Sequence, residues 1–233
     1  MIPSGRTIVL AKRPRSPVEP DEEASLRYHS GCCCEAFDTL FGRETTPTRL
    51  CREWLRFFQL SDIDPASFLT NGRVSCALHD VGKANTGFAA LLRGHHVQAL
   101  RHEQVSGLLL ALRAVREWLS GIPRLDCECV MCAVIGHHLQ ADRREFGRPA
   151  ADMQLFRILP DGVHDVLDVL RQRFALPMVP TASVPQIWRF DGGSESFSPS
   201  CHAEEVRQSL EGLDRRWRKE PLGPGHRLTS AVR

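Results

Sequence analysis

The stretch Cys76-Ala77-Leu78-His79-Asp80-Val81-Gly82-Lys83 carries the strongest signal in this chain of 233 residues. It places an imidazole and a carboxylate side by side at the end of an apolar run and follows them with glycine and lysine. Histidine nitrogens and carboxylate oxygens both bind divalent transition metals. We therefore predict that a helix delivers His79 and Asp80 to a metal site, with Lys83 close by.

Further histidines occur at intervals that suit separate helices. His102 lies in Arg101-His102-Glu103, and His137 and His138 follow an apolar stretch. Ligands contributed by several helices predict a site for two metal ions, and two ions at close range suit the hydrolysis of phosphate esters.

Asp80 has two oxygens with which to bridge such ions at about 3.5–4 Å, where they would lower the pKa of a bound water toward roughly 7. Lys83 would stabilise the charge that grows on the phosphate. Imidazole and carboxylate ligands favour Mn, Fe, Co, Ni or Zn over an all-oxygen Mg or Ca site.

Composition places few limits on function. Hydrophobic residues make up 42% of the chain and charged residues 25%, and the formal net charge of +2 gives no overall indication of nucleic-acid binding. No signal peptide is recognisable, and no apolar run approaches the roughly 20 residues that a membrane-spanning helix needs. We expect a cytoplasmic protein without a membrane partner.

Nine cysteines are present, and their pattern does not resemble a secreted disulfide framework. Cys32, Cys33 and Cys34 are consecutive, so on a helix they point in three directions. The C-x-C-x-x-C spacing of residues 127–132 lacks the second ligand pair of the usual zinc sites. Its apolar surroundings favour buried thiols over a zinc site.

Hydrophobic periodicity predicts an all-α chain, and the absence of alternating strand and helix units argues against a doubly wound α/β fold. On the first predicted helix, His29 shares an apolar face with Leu26, Cys33, Phe37 and Leu40 and should face the core. The predicted helices span residues 23–40, 47–58, 65–82, 85–92, 101–119, 125–138, 161–174 and 203–219.

Local signals refine several of these boundaries. Thr46-Pro47 has the pattern of an N-cap followed by proline at the first helical position. Gly136 is expected to end its helix so that both rings of His137 and His138 turn to one point. Residues 140–160 and 176–202 contain many Gly, Pro and Ser residues and are predicted to be loops, so the C-terminal portion should be loop-rich.

In combination, His29, His79-Asp80-x-x-Lys83, His102 and His137-His138 resemble the HD superfamily of metal phosphohydrolases. The local sequence is similar, more narrowly, to the HD nuclease of type I CRISPR interference, either standing alone or as the HD half of the helicase-nuclease. The resemblance covers residues 9–140 and is weak over 141–233. Its elements are Leu10-Ala11-Lys12, Leu78-His79-Asp80-Val81-Gly82-Lys83-Ala84 followed by Phe88, Arg101-His102-Glu103 and Ile135-Gly136-His137-His138.

The resemblance implies an HD-domain helical bundle with two divalent transition-metal ions, which are Mn, Fe, Co or Ni, with Mg as a further possibility. It implies a metal-dependent nuclease that degrades single-stranded DNA in antiviral defence. The implied partners are a type I CRISPR helicase and the crRNA-guided surveillance complex. One ion would be held by His29, His79 and Asp80, and the second by Asp80, His102, His137 and His138. Lys83 would lie near the scissile phosphate.

The family also has a late metal-binding aspartate, in an Ala-Asp context, which has no clear counterpart in this sequence. Asp152 lies too close to His138, and Asp191 and Asp214 have different surroundings. We therefore treat residues 1–233 as a single HD nuclease domain and expect that it stops before the last HD motif.

Two other functions stay open on the sequence. One is an HD phosphohydrolase acting on nucleotides or cyclic dinucleotides, and the other is a degenerate HD module that only binds a partner. His95 and His96 are candidates for phosphate contacts, with a solvated loop as the alternative. Trp188, beside Arg189 in a loop-rich region, is a candidate for stacking on a base.

Overall fold

The computed structural model describes residues 7–13, 15, 22–60, 65–95, 98–138, 155–190, 197–219 and 223–232. Helices dominate this part of the chain, and its strands form two small antiparallel pairs. The predicted all-α helical bundle is therefore confirmed. Among the described helices, none has both the length and the apolar character required to cross a membrane.

The described elements are mostly helices, with one β-hairpin and one antiparallel strand pair whose strands are separated along the chain by a helix. Three short 3-10 turns span Glu22–Ala24, Val81–Lys83 and Thr181–Ser183. The strands are β1 (Gly42–Arg43), β2 (Thr46–Pro47), β3 (Leu155–Arg157) and β4 (Ile187–Arg189). The helices are α1 (Leu26–Phe41), α2 (Arg49–Phe57), α3 (Pro65–Leu78), α4 (Thr86–Leu92), α5 (His102–Ala111), α6 (Arg113–Leu119), α7 (Cys127–Gly136), α8 (Pro160–Phe174), α9 (Pro199–Lys219) and α10 (Pro224–Val232).

The centre of the bundle is formed by α1, α3, α5, α7 and α8. Helix α3 packs against α1, α7 and α8, while α5 packs against α7 and against the 3-10 turn that follows α3. Most residues of α3 are buried, in keeping with its largely apolar and small side chains, and the buried residues include Asn71 and Arg73. This arrangement brings the C-terminal end of α3 into the interior of the molecule.

Side-chain caps begin several of the helices that surround α3. The Ser25 hydroxyl accepts a hydrogen bond from the Tyr28 amide before α1, and the side-chain oxygen Oδ1 of Asn85 accepts one from the Phe88 amide before α4. Asp126 accepts hydrogen bonds from the amides of Glu128 and Cys129 before α7. Each cap satisfies amides that the first helical turn leaves without intrahelical partners.

Helix α2 begins later than the Thr46-Pro47 pattern predicted. Thr46 and Pro47 form β2, which pairs with Gly42 and Arg43 of β1. Thr48 is the N-cap instead, and its hydroxyl accepts a hydrogen bond from the Cys51 amide at 3.1 Å. Thr46 lies in the hairpin because it pairs with the segment that directly follows α1. Residues 46–48 carry no sequence signal for this contact.

The predicted helix over 101–119 is divided into α5 and α6 at Leu112, whose backbone is extended with ψ of 130°. Leu108, Leu109 and Val115 are buried on both sides of this break. Because the apolar spacing continues across Leu112, periodicity alone cannot reveal the change of direction.

Residues beyond 138 contain more regular structure than the loop-rich prediction allowed. Helices α8 and α9 confirm the two predicted segments, and β3 pairs with β4 within stretches that were predicted to be loops. Residues 140–154 of the predicted loop over 140–160 lie outside the described residues. This strand pair was not predicted because each strand is only three residues long.

Helix α8 is joined to α1 by a buried carboxylate. Asp168 accepts hydrogen bonds from Arg27 of α1 at 2.9 Å and from Arg171 of its own helix at 2.6 Å. The Gln172 amide adds a third at 2.8 Å. This network fixes the N-terminal half of α1, on which His29 lies.

Candidate metal centre

Four separate segments bring the predicted ligands to one place. His29 projects from α1, and His79 and Asp80 form the turn that ends α3. His102 is the first residue of α5, and His137 and His138 follow the last residue of α7. Helix α7 ends at Gly136, the glycine expected to end or loosen a helix that was predicted to reach residue 138.

One carboxylate oxygen of Asp80 contacts the histidines of α1 and of the turn after α3. Asp80 Oδ2 lies 2.9 Å from His29 Nε2 and 3.2 Å from His79 Nε2. The two imidazole nitrogens are 3.3 Å apart. The Lys83 ammonium donates a hydrogen bond to the same oxygen at 2.7 Å. A cation among these atoms would have two nitrogen ligands and one oxygen ligand.

The other carboxylate oxygen faces α5 and α7. Asp80 Oδ1 lies 3.1 Å from His102 Nε2 and 3.9 Å from His137 Nε2. The Nε2 atoms of His138 and His102 are 3.1 Å apart. Asp80 therefore stands between two groups of imidazoles, as a bridging ligand would.

Asp80 is almost completely buried, and the imidazoles keep it ionised. Burial by itself would raise the pKa of the Asp80 carboxyl. Hydrogen bonds from His102, His29 and His79 outweigh that effect and hold the pKa well below its usual range. The hydrogen bond to Asp80 in turn raises the pKa of His29 to about 9. The centre thus contains a permanent negative charge surrounded by groups that can give up protons to admit a cation.

Backbone carbonyls orient two of the rings. His79 Nδ1 lies 2.8 Å from the Cys76 carbonyl oxygen, and His137 Nδ1 lies 2.6 Å from that of Val134. Since a carbonyl can only accept, each Nδ1 carries a proton, and the Nε2 atom of each ring is the one that faces the centre. Burial lowers the pKa of His137 to about 4, so its ring is neutral near pH 7.

The Nε2 atom of His137 supplies the test of whether these residues fit metal ions. Among the described residues, this buried nitrogen finds no hydrogen-bond partner. A buried acceptor without a partner costs about 1–3 kcal/mol. A divalent cation would satisfy it, and the surrounding set of imidazoles and one carboxylate suits such an ion. The residues present therefore fit a pair of divalent ions.

The turn that carries Asp80 is held tightly against α5. The Gly82 amide donates to the Ser106 hydroxyl at 2.8 Å, and that hydroxyl donates to the His79 carbonyl oxygen at 3.0 Å. A Cβ at Gly82 would overlap the His102 carbonyl oxygen. The glycine after His79-Asp80 is thus required by the close approach of α5.

Two neighbours of the centre escaped the sequence analysis. Cys33 Sγ lies 3.9 Å from His29 Nε2 on the next turn of α1. Glu103 is buried, forms an ion pair with Arg101, and places Oε2 at 3.5 Å from His102 Nδ1. The i, i+4 spacing of His29 and Cys33 was a signal for the first contact, whereas the side-chain direction of Glu103 has no local signal.

Besides Lys83, the residues predicted to contact the substrate are His95, His96 and Trp188. His95 is exposed at the end of α4 without a described contact to the metal centre, and His96 lies outside the described residues. The base-stacking prediction for Trp188 is wrong in this structure, because the indole is 0% exposed and packs against Phe156 and Phe197. No face of that ring is open to a base.

The cysteines of α7 agree in part with the prediction of buried thiols, since Cys129 is buried whereas Cys127 and Cys132 are half-buried. Burial raises the pKa of Cys129 to about 12 and also raises the pKa of Cys127. In the described part of the chain, the groups close enough to hold a metal are His29, Cys33 and His79, and His102, His137 and His138. The α7 cysteines belong to neither.

An all-α bundle with His-Asp at the end of a central helix and imidazoles from three other segments defines an HD-type metal-binding domain. The family model described as "Cas3, HD domain" matches residues 11–192, so the chain belongs to this family. Neither curated proteins nor solved structures show a significant match to the chain. The resemblance to the HD domain of type I CRISPR proteins is confirmed, and its extent reaches well past residue 140. The chain is thus a metal-dependent hydrolase domain of the nuclease or phosphohydrolase kind.

Proposed function

We propose that this domain is a metal-dependent nuclease that cleaves single-stranded DNA during CRISPR interference. The observation that carries the proposal is that four imidazoles lie 2.9–3.9 Å from the two oxygens of Asp80 in a Cas3-type HD domain, with His138 beside the imidazole of His102. We also propose that the domain acts with a type I helicase and a crRNA-guided complex, since single-stranded substrate must come from an unwound duplex.

The exposure of the centre supports a polymeric substrate. Asp80 is 4% exposed at the base of the centre, whereas 33% of the His29 side chain is exposed at its rim. His138, on the opposite side, is also exposed. A flexible single strand can present a phosphodiester to a recessed carboxylate, and the open rim lets the strand continue on both sides.

Most side chains of the centre would bind the ions, whereas Lys83 would stabilise negative charge on the substrate. Asp80 would bridge the ions, His29 and His79 would hold one, and His102, His137 and His138 would hold the other. When bound, two divalent ions lower the pKa of water and polarise phosphoryl oxygens. The Lys83 ammonium, already at the edge of the centre, would bind a non-bridging phosphate oxygen and stabilise negative charge there.

The test compares a circular single-stranded DNA with a panel of nucleotides and cyclic dinucleotides, each in Mn²⁺, Co²⁺ or Ni²⁺. The proposal predicts that the circle is linearised and then degraded and that Asp80→Ala abolishes this activity. Asp214→Ala, on α9, is the matched control and should retain activity. Nucleotide turnover without loss of DNA would favour a nucleotide phosphohydrolase instead.

Metal analysis of the same preparations separates an active enzyme from a module that only binds a partner. The proposal predicts about two ions per chain in the wild type and a clear loss in Asp80→Ala. Fewer than about one ion per chain, without cleavage of any substrate, would contradict a catalytic role.

A further inference from the structure

Three consecutive cysteines lie in the middle of α1, and the helix directs them to different surroundings. Cys34 is buried, and its thiol donates to the Arg73 carbonyl oxygen at 3.6 Å. Cys32 contacts Tyr28 on the preceding turn. Cys33 faces the metal centre, with Sγ at 3.9 Å from His29 Nε2. The helix therefore singles out one thiol of the three.

The position of Cys33 Sγ fits that of a metal ligand. One ring nitrogen of His29, one ring nitrogen of His79 and Cys33 Sγ all lie within 4.8 Å of one another. With zinc–nitrogen bonds of about 2.0–2.1 Å and zinc–sulfur bonds of about 2.3 Å, tetrahedral geometry separates two nitrogens by about 3.4 Å and a nitrogen and a sulfur by about 3.6 Å. The corresponding distances here are 3.3 Å and 3.9 Å.

Asp80 supplies a further donor on the same side. Its Oδ2 lies 2.9 Å from His29 Nε2 and 3.2 Å from His79 Nε2. Two nitrogens, one oxygen and one sulfur make a complete donor set for a four-coordinate ion. A cysteine that served only for packing would be expected among apolar side chains, yet the Cys33 thiol faces imidazoles and is half-buried.

We propose that Cys33 is a ligand of the ion held by His29, His79 and Asp80. The inference rests on the proposed metal centre and adds a sulfur donor to it. A thiolate is a soft ligand that favours Zn²⁺, Co²⁺ or Fe²⁺ over Mg²⁺ and Mn²⁺. The ion on the α1 side of Asp80 would then differ in preference from the ion held by the imidazoles of α5 and α7.

The experiment follows Co²⁺ binding by absorption, because a thiolate bound to Co²⁺ adds an intense near-ultraviolet charge-transfer band to the weaker visible bands of the ion. The wild type should show this band. Cys33→Ala should lose it while still binding Co²⁺ at the imidazoles, and Cys32→Ala should retain it. The same Cys33→Ala change should weaken Zn²⁺ binding about tenfold or more and alter Mn²⁺ binding by less than about twofold.

Alkylation of the wild-type protein gives a second readout that needs no substitution. Zn²⁺ should protect the Cys33 thiol from iodoacetamide, as mapped by peptide mass spectrometry, and should leave Cys32 as reactive as before. A charge-transfer band that persists in Cys33→Ala, or equal reactivity of Cys33 with and without Zn²⁺, would overturn the proposal. Co²⁺ bound without a thiolate band would refute the sulfur ligand alone, whereas failure of the wild type to bind Co²⁺ would refute the metal centre itself.

Discussion

At the scale of single residues, Asp80 and Lys83 share one hydrogen bond but are predicted to have separable roles. Asp80 faces both groups of imidazoles, whereas Lys83 contacts the carboxylate from the side of Oδ2. We predict that Lys83→Ala leaves the metal content unchanged and slows cleavage about 100-fold, the loss expected when one charged donor to the transition state is removed.

Metal analysis together with single-turnover cleavage rates checks this prediction. Lys83→Arg is the matched variant and should recover part of the rate, because it keeps the positive charge. If Lys83→Ala loses as much metal as Asp80→Ala, Lys83 serves the ligand set and not the phosphate.

Gly82 is the residue at which the backbone itself limits the site. A side chain there would overlap the His102 carbonyl oxygen and crowd the Ser106 hydroxyl, both parts of α5. We predict that Gly82→Ala lowers the free energy of unfolding by about 3 kcal/mol and displaces His102 from Asp80. Urea unfolding and metal stoichiometry measure the two effects.

Gly31 provides the control for Gly82. It lies within α1, and a Cβ there would meet no atom within 4 Å among the described residues. Gly31→Ala should therefore raise the free energy of unfolding by about 0.5–1 kcal/mol, the gain expected when alanine replaces glycine in a helix. Equal stability of the two variants would show that the turn can move away from α5.

At the scale of elements, the hydrogen-bond network of Asp168, which joins α1 to α8, makes the free energy of unfolding depend on pH. Burial alone would raise the pKa of Asp168, but the hydrogen bonds from Arg171 and Arg27 outweigh it and lower the pKa. The stabilisation is therefore fully present above the unfolded-state pKa of about 3.9 and is lost as the pH falls through the lower folded-state value.

We predict that Asp168→Asn lowers the free energy of unfolding by about 1–3 kcal/mol at pH 7, since it weakens hydrogen bonds to two guanidinium groups. The difference from the wild type should shrink as the pH is lowered below about 4. Urea titrations across this range measure it. A difference that stays constant with pH would mean that the charge of the Asp168 carboxylate contributes nothing to the network between α1 and α8.

At the scale of the whole molecule, metal ions would join four segments that are far apart along the chain. His29, Asp80, His102 and His137 come from α1, the turn after α3, α5 and the end of α7. Because the unfolded chain cannot assemble these ligands, ions should stabilise the fold by about 2.7 kcal/mol at a free concentration 100 times the Kd.

For a chain of this size, that stabilisation corresponds to a rise of about 5–10 °C in Tm. Thermal unfolding with and without Mn²⁺ or Co²⁺ measures the rise, and a chelator should reverse it. Asp80→Asn, which keeps the shape of the side chain, should show little rise. A full rise in that variant would place the bound ions elsewhere on the protein.

The sequence by itself determined the class of fold and most of the candidate ligands. Helical periodicity is a local property, so α1, α3, α7 and α8 could be recognised within a few residues of their ends. The ligand types could be recognised because divalent ions require imidazoles and carboxylates, and such residues stand out at the ends of apolar helices.

The tertiary structure alone decided which side chains meet and which are hidden. The break at Leu112, the hairpin that takes Thr46, the burial of Trp188 and the approach of Cys33 to the imidazole of His79 all depend on contacts between segments distant in sequence. Hydrophobic spacing in the sequence indicates which residues are buried, but it does not identify the residues that they contact. Non-local packing therefore had to be seen in three dimensions before a thiol could be placed beside the metal centre.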